Sequence, residues 1–216
     1  MELPDTEHLV LGMSPFNPHF SVSWLVTALR GGAERFSTVD VLHPGSIAVS
    51  LLLATGTPGG RARRKVRQQC NKDLRTVSTA VCRSGVTLGR GEPTLISEHI
   101  GDRWYAGQRV QIEAEYHQNP DFRDACLAMS EAAANSRLKV TGSSVRPDLD
   151  SAVSYVIDEL PAYTHTAKLF GYPSAALSYP APWPVGDCIR AGDTSLTLDP
   201  DSYFFVLDPT SEMNHV

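Results

Sequence analysis

Four side chains in this chain have the type and spacing to do chemistry: Ser14, Tyr155, Glu159 and Tyr179. Ser14 lies within His8-Leu9-Val10-Leu11-Gly12-Met13-Ser14-Pro15-Phe16-Asn17-Pro18-His19-Phe20. Leu9 to Met13 is a short apolar run with β character, broken at Ser14-Pro15, and a helical pattern takes over near Ser21. Ser14 is thereby expected at the carboxyl end of a strand, where open α/β sheets bind their ligands. Gly12 would leave room there for a substrate to approach. A serine followed by proline also suits a helix start, as cap and first residue, so the hydroxyl has two readings. Tyr155 and Glu159 are one helical turn apart and stack on one face. A phenol beside a carboxylate suits an ammonium, which donates to both. Partly buried structural residues would look the same. Tyr179 is a polar aromatic at the end of a strand candidate, where plain packing is the simpler reading.

These side chains need an α/β frame to meet, and the pattern of elements supplies one. Strand candidates are Leu9–Met13, Phe36–Leu42, Thr94–Ser97, Ala175–Tyr179 and Tyr203–Leu207, with a Pro- and Gly-rich stretch between the last two. Helices are expected over Val22–Arg30, stopped by Gly31-Gly32, then over Ser46–Ala54, Arg61–Arg83, Gln108–His117 and Asp121–Asn135. A further helix, Asp148–Leu160, should start at Pro147-Asp148 and end at Pro161. Leu138–Pro147 reads as a loop. Strands alternating with helices argue for an α/β fold with a mostly parallel sheet flanked by helices. At 216 residues, the chain suits one domain over residues 1–216.

The helix at Arg61–Arg83 has two unlike sides. Val66, Cys70, Leu74, Val77 and Val81 share an arc of roughly 80°. Arg61, Arg64, Lys65, Lys72, Arg75 and Arg83 share an arc of about 100° opposite, with Arg63 and Arg67 off it. Asp73 is the one acid in the segment. A solvated face normally mixes signs, so a near-uniform basic one on a chain of net charge −5 also reads as a track for a phosphate backbone. No aromatic residue interleaves it to stack bases.

Composition removes other classes. The hydrophobic fraction of 42% and charged fraction of 20% are those of a globular protein. No apolar run approaches the roughly 20 residues of a membrane span, and Met1–Asp5 has no signal-peptide pattern. The four cysteines, Cys70, Cys82, Cys126 and Cys188, form no CxxC pair and read as buried thiols of a cytoplasmic protein. The histidines show no ligand spacing, and there is no G-x-S-x-G elbow, Walker A loop or GxGxxG. No metal and no cofactor is expected. No histidine is tied locally to Ser14, so a Ser-His-Asp triad lacks support.

Three blocks taken together carry a resemblance: Gly12-Met13-Ser14-Pro15-Phe16-Asn17, Tyr155-Val156-Ile157-Asp158-Glu159-Leu160-Pro161, and Leu177-Ser178-Tyr179-Pro180. In order and spacing the chain resembles the cyclodipeptide synthases, themselves similar to the catalytic domain of class I tyrosyl- and tryptophanyl-tRNA synthetases without the ATP-binding signatures. The resemblance implies one Rossmann-like domain that makes a cyclic dipeptide from two aminoacyl-tRNAs. Ser14 would take the first aminoacyl group as an ester, and Tyr155 and Glu159 would hold its α-ammonium. Tyr179 would orient the Ser14 hydroxyl or relay a proton. The aminoacyl group would pass to a second aminoacyl-tRNA or combine with it as a dipeptidyl-enzyme, and attack by the free amine would close the ring. The ester is already activated, so no ATP or metal is needed, and positioning can supply roughly 7–11 kcal/mol. The basic helix lies where the family binds tRNA, which assigns Arg61, Arg64, Lys65, Lys72 and Arg75 to it. What deprotonates Ser14 is open, with the tRNA ribose as one candidate.

Of the family's two branches, Pro180 matches one and Asn17 the other. The first amino acid's pocket is expected from the first and last strands, with Val10, Gly12, Asn17 and Leu177 as walls and Ala162 and Tyr163 as further ones. Core packing explains Val10 and Leu177 nearly as well. A monomer is expected, with no DNA or membrane partner. A non-catalytic tRNA-binding module of synthetase-like fold is the alternative, and a small-molecule hydrolase using Ser14 a third reading.

Overall fold

The computed structural model describes residues 6–142 and 144–206. Met1–Asp5 and Leu207, on which two of the expectations fall, lie outside that range. The strands are β1 (His8–Gly12), β2 (Thr38–His43), β3 (Thr94–Leu95), β4 (Ala175–Tyr179) and β5 (Ser202–Val206). They form one sheet in the order β3-β2-β1-β4-β5, and every pairing is parallel. The sheet expected to be mostly parallel is wholly so among the described residues. All five residues of β1 are buried, as a strand covered on both faces must be.

Alternation along the strands sorts the core into two layers. Val10, Leu42 and Leu177 pack with Val156, Ile157 and Leu160 on one face. Leu9, Leu11, Val39, Val41 and Ala176 pack on the other with Leu25, Ala28 and Leu29. The helices are α1 (Val22–Ala33), α2 (Val49–Ala54), α3 (Gly59–Ser84), α4 (Ile96–His99), α5 (Arg103–Gln118) and α6 (Pro120–Thr141). They continue with α7 (Leu149–Thr164), α8 (Thr166–Phe170) and α9 (Pro184–Ala191). No helix among the described residues is long and apolar enough to cross a membrane.

Several boundaries differ from expectation for physical reasons. Gly31-Gly32 lies inside α1 and does not stop it. A Cβ on Gly32 would come within 2.7 Å of Leu9 Cδ2, so that glycine lets α1 press onto β1. Pro161 sits inside α7 and does not end it. The ring deprives the Ile157 carbonyl of its donor, but every residue from Glu159 to Thr164 is buried, and that packing carries the helix past the break. The expected loop at Leu138–Pro147 begins later, because α6 runs to Thr141 and closes on Gly142 at φ 64°. Buried Ala134 and Leu138 continue its inner stripe.

Ser46–Ala54 is a 3-10 turn, Gly45–Ala48, running into α2. Thr94–Ser97 is a two-residue strand followed by α4. Helix α9 occupies the Pro- and Gly-rich stretch, with Pro184 in its first turn and Gly192 as its left-handed cap. The cysteines are free as expected, yet Cys82 is exposed and only Cys126 is fully buried.

Candidate active site

Strand order reverses between β1 and β4, which makes the carboxyl ends of these two strands the topological switch point. Ser14 leaves the sheet there, after Met13 N donates to Leu42 O at 2.9 Å. It caps no helix. Ser21 caps α1, its Oγ accepting from Trp24 N at 3.3 Å. Between them Phe16 takes a left-handed backbone, φ 66°. Tyr179, the last residue of β4, donates to Ser14 Oγ at 2.8 Å. Asn17 Nδ2 donates to the same oxygen at 3.5 Å. Two donors on one hydroxyl oxygen leave the serine's own hydrogen to an outside acceptor.

Gly12 has a different use from the one expected. A Cβ there would lie 3.3 Å from Ser178 O and 3.3 Å from the Tyr179 ring. The space belongs to β4 and is what lets Tyr179 reach Ser14.

Tyr155 and Glu159 project from α7 toward the same point. They are only 4% and 7% exposed, because α2, α5 and α6 pack around α7. Burial pushes the Glu159 carboxyl up to about 8, the Tyr155 phenol opposing the rise and Asp158 adding to it. Burial likewise raises Tyr155, Tyr163 and Tyr179, each with Glu159 as a further cause. All three are neutral phenols able to donate. Beneath them the Tyr105 hydroxyl donates to Asp158 O at 2.7 Å, and Arg109 Nε pairs with the Asp158 carboxylate at 2.6 Å. These contacts fix the turn of α7 that carries Glu159.

Ser14, Asn17, Tyr155, Glu159, Tyr163 and Tyr179 line one cavity of about 440 Å3. Val10, Gly12, Leu177 and Ala162 do not line it. Val10 and Leu177 are cross-strand partners, fully buried in the layer below. Walls that sequence reasoning missed come from α6, the N-cap of α9 and β5, among them Met129, Ala133, Arg137, Trp183 and Phe204. The alanine-rich character of α6 was visible, but nothing local marked its small side chains as a cavity wall.

Arg61, Arg64, Lys72 and Arg75 are exposed along α3, and Lys65 is half-buried. The inner stripe divides, with Val66 and Val77 buried and Cys70, Leu74 and Val81 partly covered. Asp73 turns away from the basic face, accepting from His43 Nε2 at 3.3 Å and Gln69 Nε2 at 2.8 Å. That pairing leaves the outer face without an acid.

The family model described as cyclodipeptide synthase matches residues 3–209. A cyclo(L-leucyl-L-leucyl) synthase of Corynebacterium jeikeium is 55% identical over 207 residues, covering 96% of each chain. One of Bacillus subtilis is 32% identical, covering 95% of this chain and 84% of its own. The crystal structure of a cyclodipeptide synthase from Bacillus thermoamylovorans superposes with a TM-score of 0.87 at 29% identity, covering 94% of this chain and 89% of that one.

Proposed function

Because the chain belongs to the cyclodipeptide synthase family, we propose that it joins the aminoacyl groups of two aminoacyl-tRNAs through an ester on Ser14. The observation that carries this reading is the convergence of Ser14, Tyr155, Glu159 and Tyr179 on one cavity. Ser14 Oγ attacks the ester carbonyl of the first aminoacyl-tRNA. The bond to the ribose oxygen breaks, that oxygen leaves protonated, and the aminoacyl group stays on the serine. Tyr179 donates to the attacking oxygen and holds its direction. A neutral phenol that donates in that bond, it is not the base.

Among the described residues no histidine or carboxylate is hydrogen-bonded to Ser14 Oγ. A vicinal ribose hydroxyl of the substrate is the acceptor this arrangement leaves, and tRNA ending in 2′-deoxyadenosine should acylate Ser14 more slowly. An unchanged rate would remove the ribose from the step.

The α-ammonium of the bound residue donates to Glu159 and Tyr155 and draws Glu159 into its ionised form. The ionised Glu159 takes a proton from that ammonium, the free amine attacks the ester of the second aminoacyl-tRNA, the ribose oxygen leaves with the amine's second proton, and a dipeptidyl ester stays on Ser14. The amine of the second residue then attacks the seryl ester, closing the diketopiperazine ring and freeing the serine. Tyr163 and Asn17 lie beside this path. The exposed positions Arg61, Arg64, Lys72 and Arg75, with Lys65, hold the tRNA backbone.

Leucyl-tRNA is the substrate for both halves, supported by the 55% identical cyclo(L-leucyl-L-leucyl) synthase and by the apolar walls Met129, Phe204 and Trp183. Expression in a bacterium and mass spectrometry of the medium test the reading. Cyclo(Leu-Leu) is expected with the native chain and not with Ser14→Ala. Retention of tRNA with no cyclic dipeptide would instead favour a binding module.

A further inference from the structure

Arg137 on α6 lines the cavity with its guanidinium 4.4 Å from the centroid of the Phe16 ring. It is half-buried, and among the described residues no carboxylate pairs with it. Its surroundings are unfavourable to a cation. Burial holds its pKa below the usual guanidinium value. Lys65 is lowered too, first by burial and then by the charges of Arg61 and Arg137. Lys65, on the basic helix α3, therefore lies within electrostatic reach of Arg137, which lines the cavity.

Phe16, the platform under Arg137, is the non-glycine residue with positive φ among the described residues, a backbone that costs free energy in phenylalanine. A strained aromatic holding an unpaired, partly desolvated guanidinium is an arrangement that an anion would complete.

We propose that Arg137, seated on Phe16 with Lys65 behind it, binds the 5′-phosphate of the terminal adenosine of aminoacyl-tRNA and so delivers its ester to Ser14. The inference rests on the reading of this cavity as the aminoacyl-tRNA site. In the last nucleotide that phosphate is the one anionic group, and the aminoacyl ester is on the same nucleoside. Arg137 and Ser14 line the same cavity, so one nucleotide can engage both. The long basic helix would hold the body of the tRNA, while Arg137 would read its end.

The test uses 3′-amino-3′-deoxyadenosine carrying leucine in an amide link, with and without a 5′-phosphate, titrated calorimetrically into the full chain. The native protein should bind the phosphorylated compound about ten- to a hundredfold more tightly, the usual value of a hydrogen-bonded charge. Arg137→Gln should lose that preference while binding the unphosphorylated compound within about twofold of native. Arg137→Met, which keeps the contact with Phe16, should behave alike and serves if the glutamine variant misfolds. A native protein indifferent to the phosphate, or a variant that keeps the full preference, would overturn the proposal. Because the amide does not react, the outcome is independent of Ser14 chemistry. Acylation of Ser14 by leucyl-tRNA, followed separately by mass spectrometry, reports on the underlying reading.

Discussion

The Tyr179 hydroxyl and Ser14 Oγ, 165 positions apart in sequence, are 2.8 Å apart across the ends of two adjacent parallel strands. Gly12 permits that approach by having no side chain under the Tyr179 ring. The pair joins the two terminal blocks of the chain, and the rest of the site is arranged around it.

Removing that hydroxyl tests what it does. Tyr179→Phe keeps the ring against Gly12 and takes away the donor. Single-turnover acylation of Ser14 should slow on the order of 100-fold, with KM for aminoacyl-tRNA little changed. An equal rise in KM with kcat preserved would assign Tyr179 to substrate binding instead.

Glu159 should leave a mark on stability. Its carboxyl titrates near 8 in the fold and at the ordinary 4.5 when exposed. Between those values the folded chain holds a proton that the unfolded chain has released, so stability falls as pH rises through the window. The contribution is intact below 4.5 and gone above about 8. Thermal melts should show the native Tm dropping from about pH 5 to pH 8 by more than that of Glu159→Gln. Parallel curves would mean the carboxyl is not held protonated.

Much of this site was legible before the fold was known, and the reason is local chemistry. Tyr155 and Glu159 are one helical turn apart, so a clean helix pattern places them together whatever surrounds it. Ser14 and Tyr179 each follow a β-rich run, and parallel pairing brings such ends to one edge of the sheet. The residues that sequence hid depend on distant packing. Arg137 enters the cavity because α6 lies against α7, and Phe204 because β5 extends the sheet beside β4. Gly31-Gly32 and Pro161 misled for the same reason. Each is a breaker by local rule, and each is overruled by a close or buried neighbour. The walls expected from Val10 and Leu177 were adjacent in register but lie one layer too deep.

The basic face of α3 makes a separate prediction. Arg64→Glu with Arg75→Glu reverses two exposed charges that touch no part of the cavity. KM for aminoacyl-tRNA should rise about tenfold or more at low salt, kcat should hold, and the dependence of affinity on salt should become shallower. An unchanged salt slope would take the helix out of tRNA binding.

The central claim is that Ser14 carries the first aminoacyl group. Mixing the protein with one equivalent of leucyl-tRNA, quenching in acid and measuring intact mass with peptide mapping tests it directly. A leucyl adduct on Ser14 that disappears as cyclic dipeptide forms, and that Ser14→Ala never shows, is the expected result. Cyclic dipeptide made at the native rate by Ser14→Ala would contradict it.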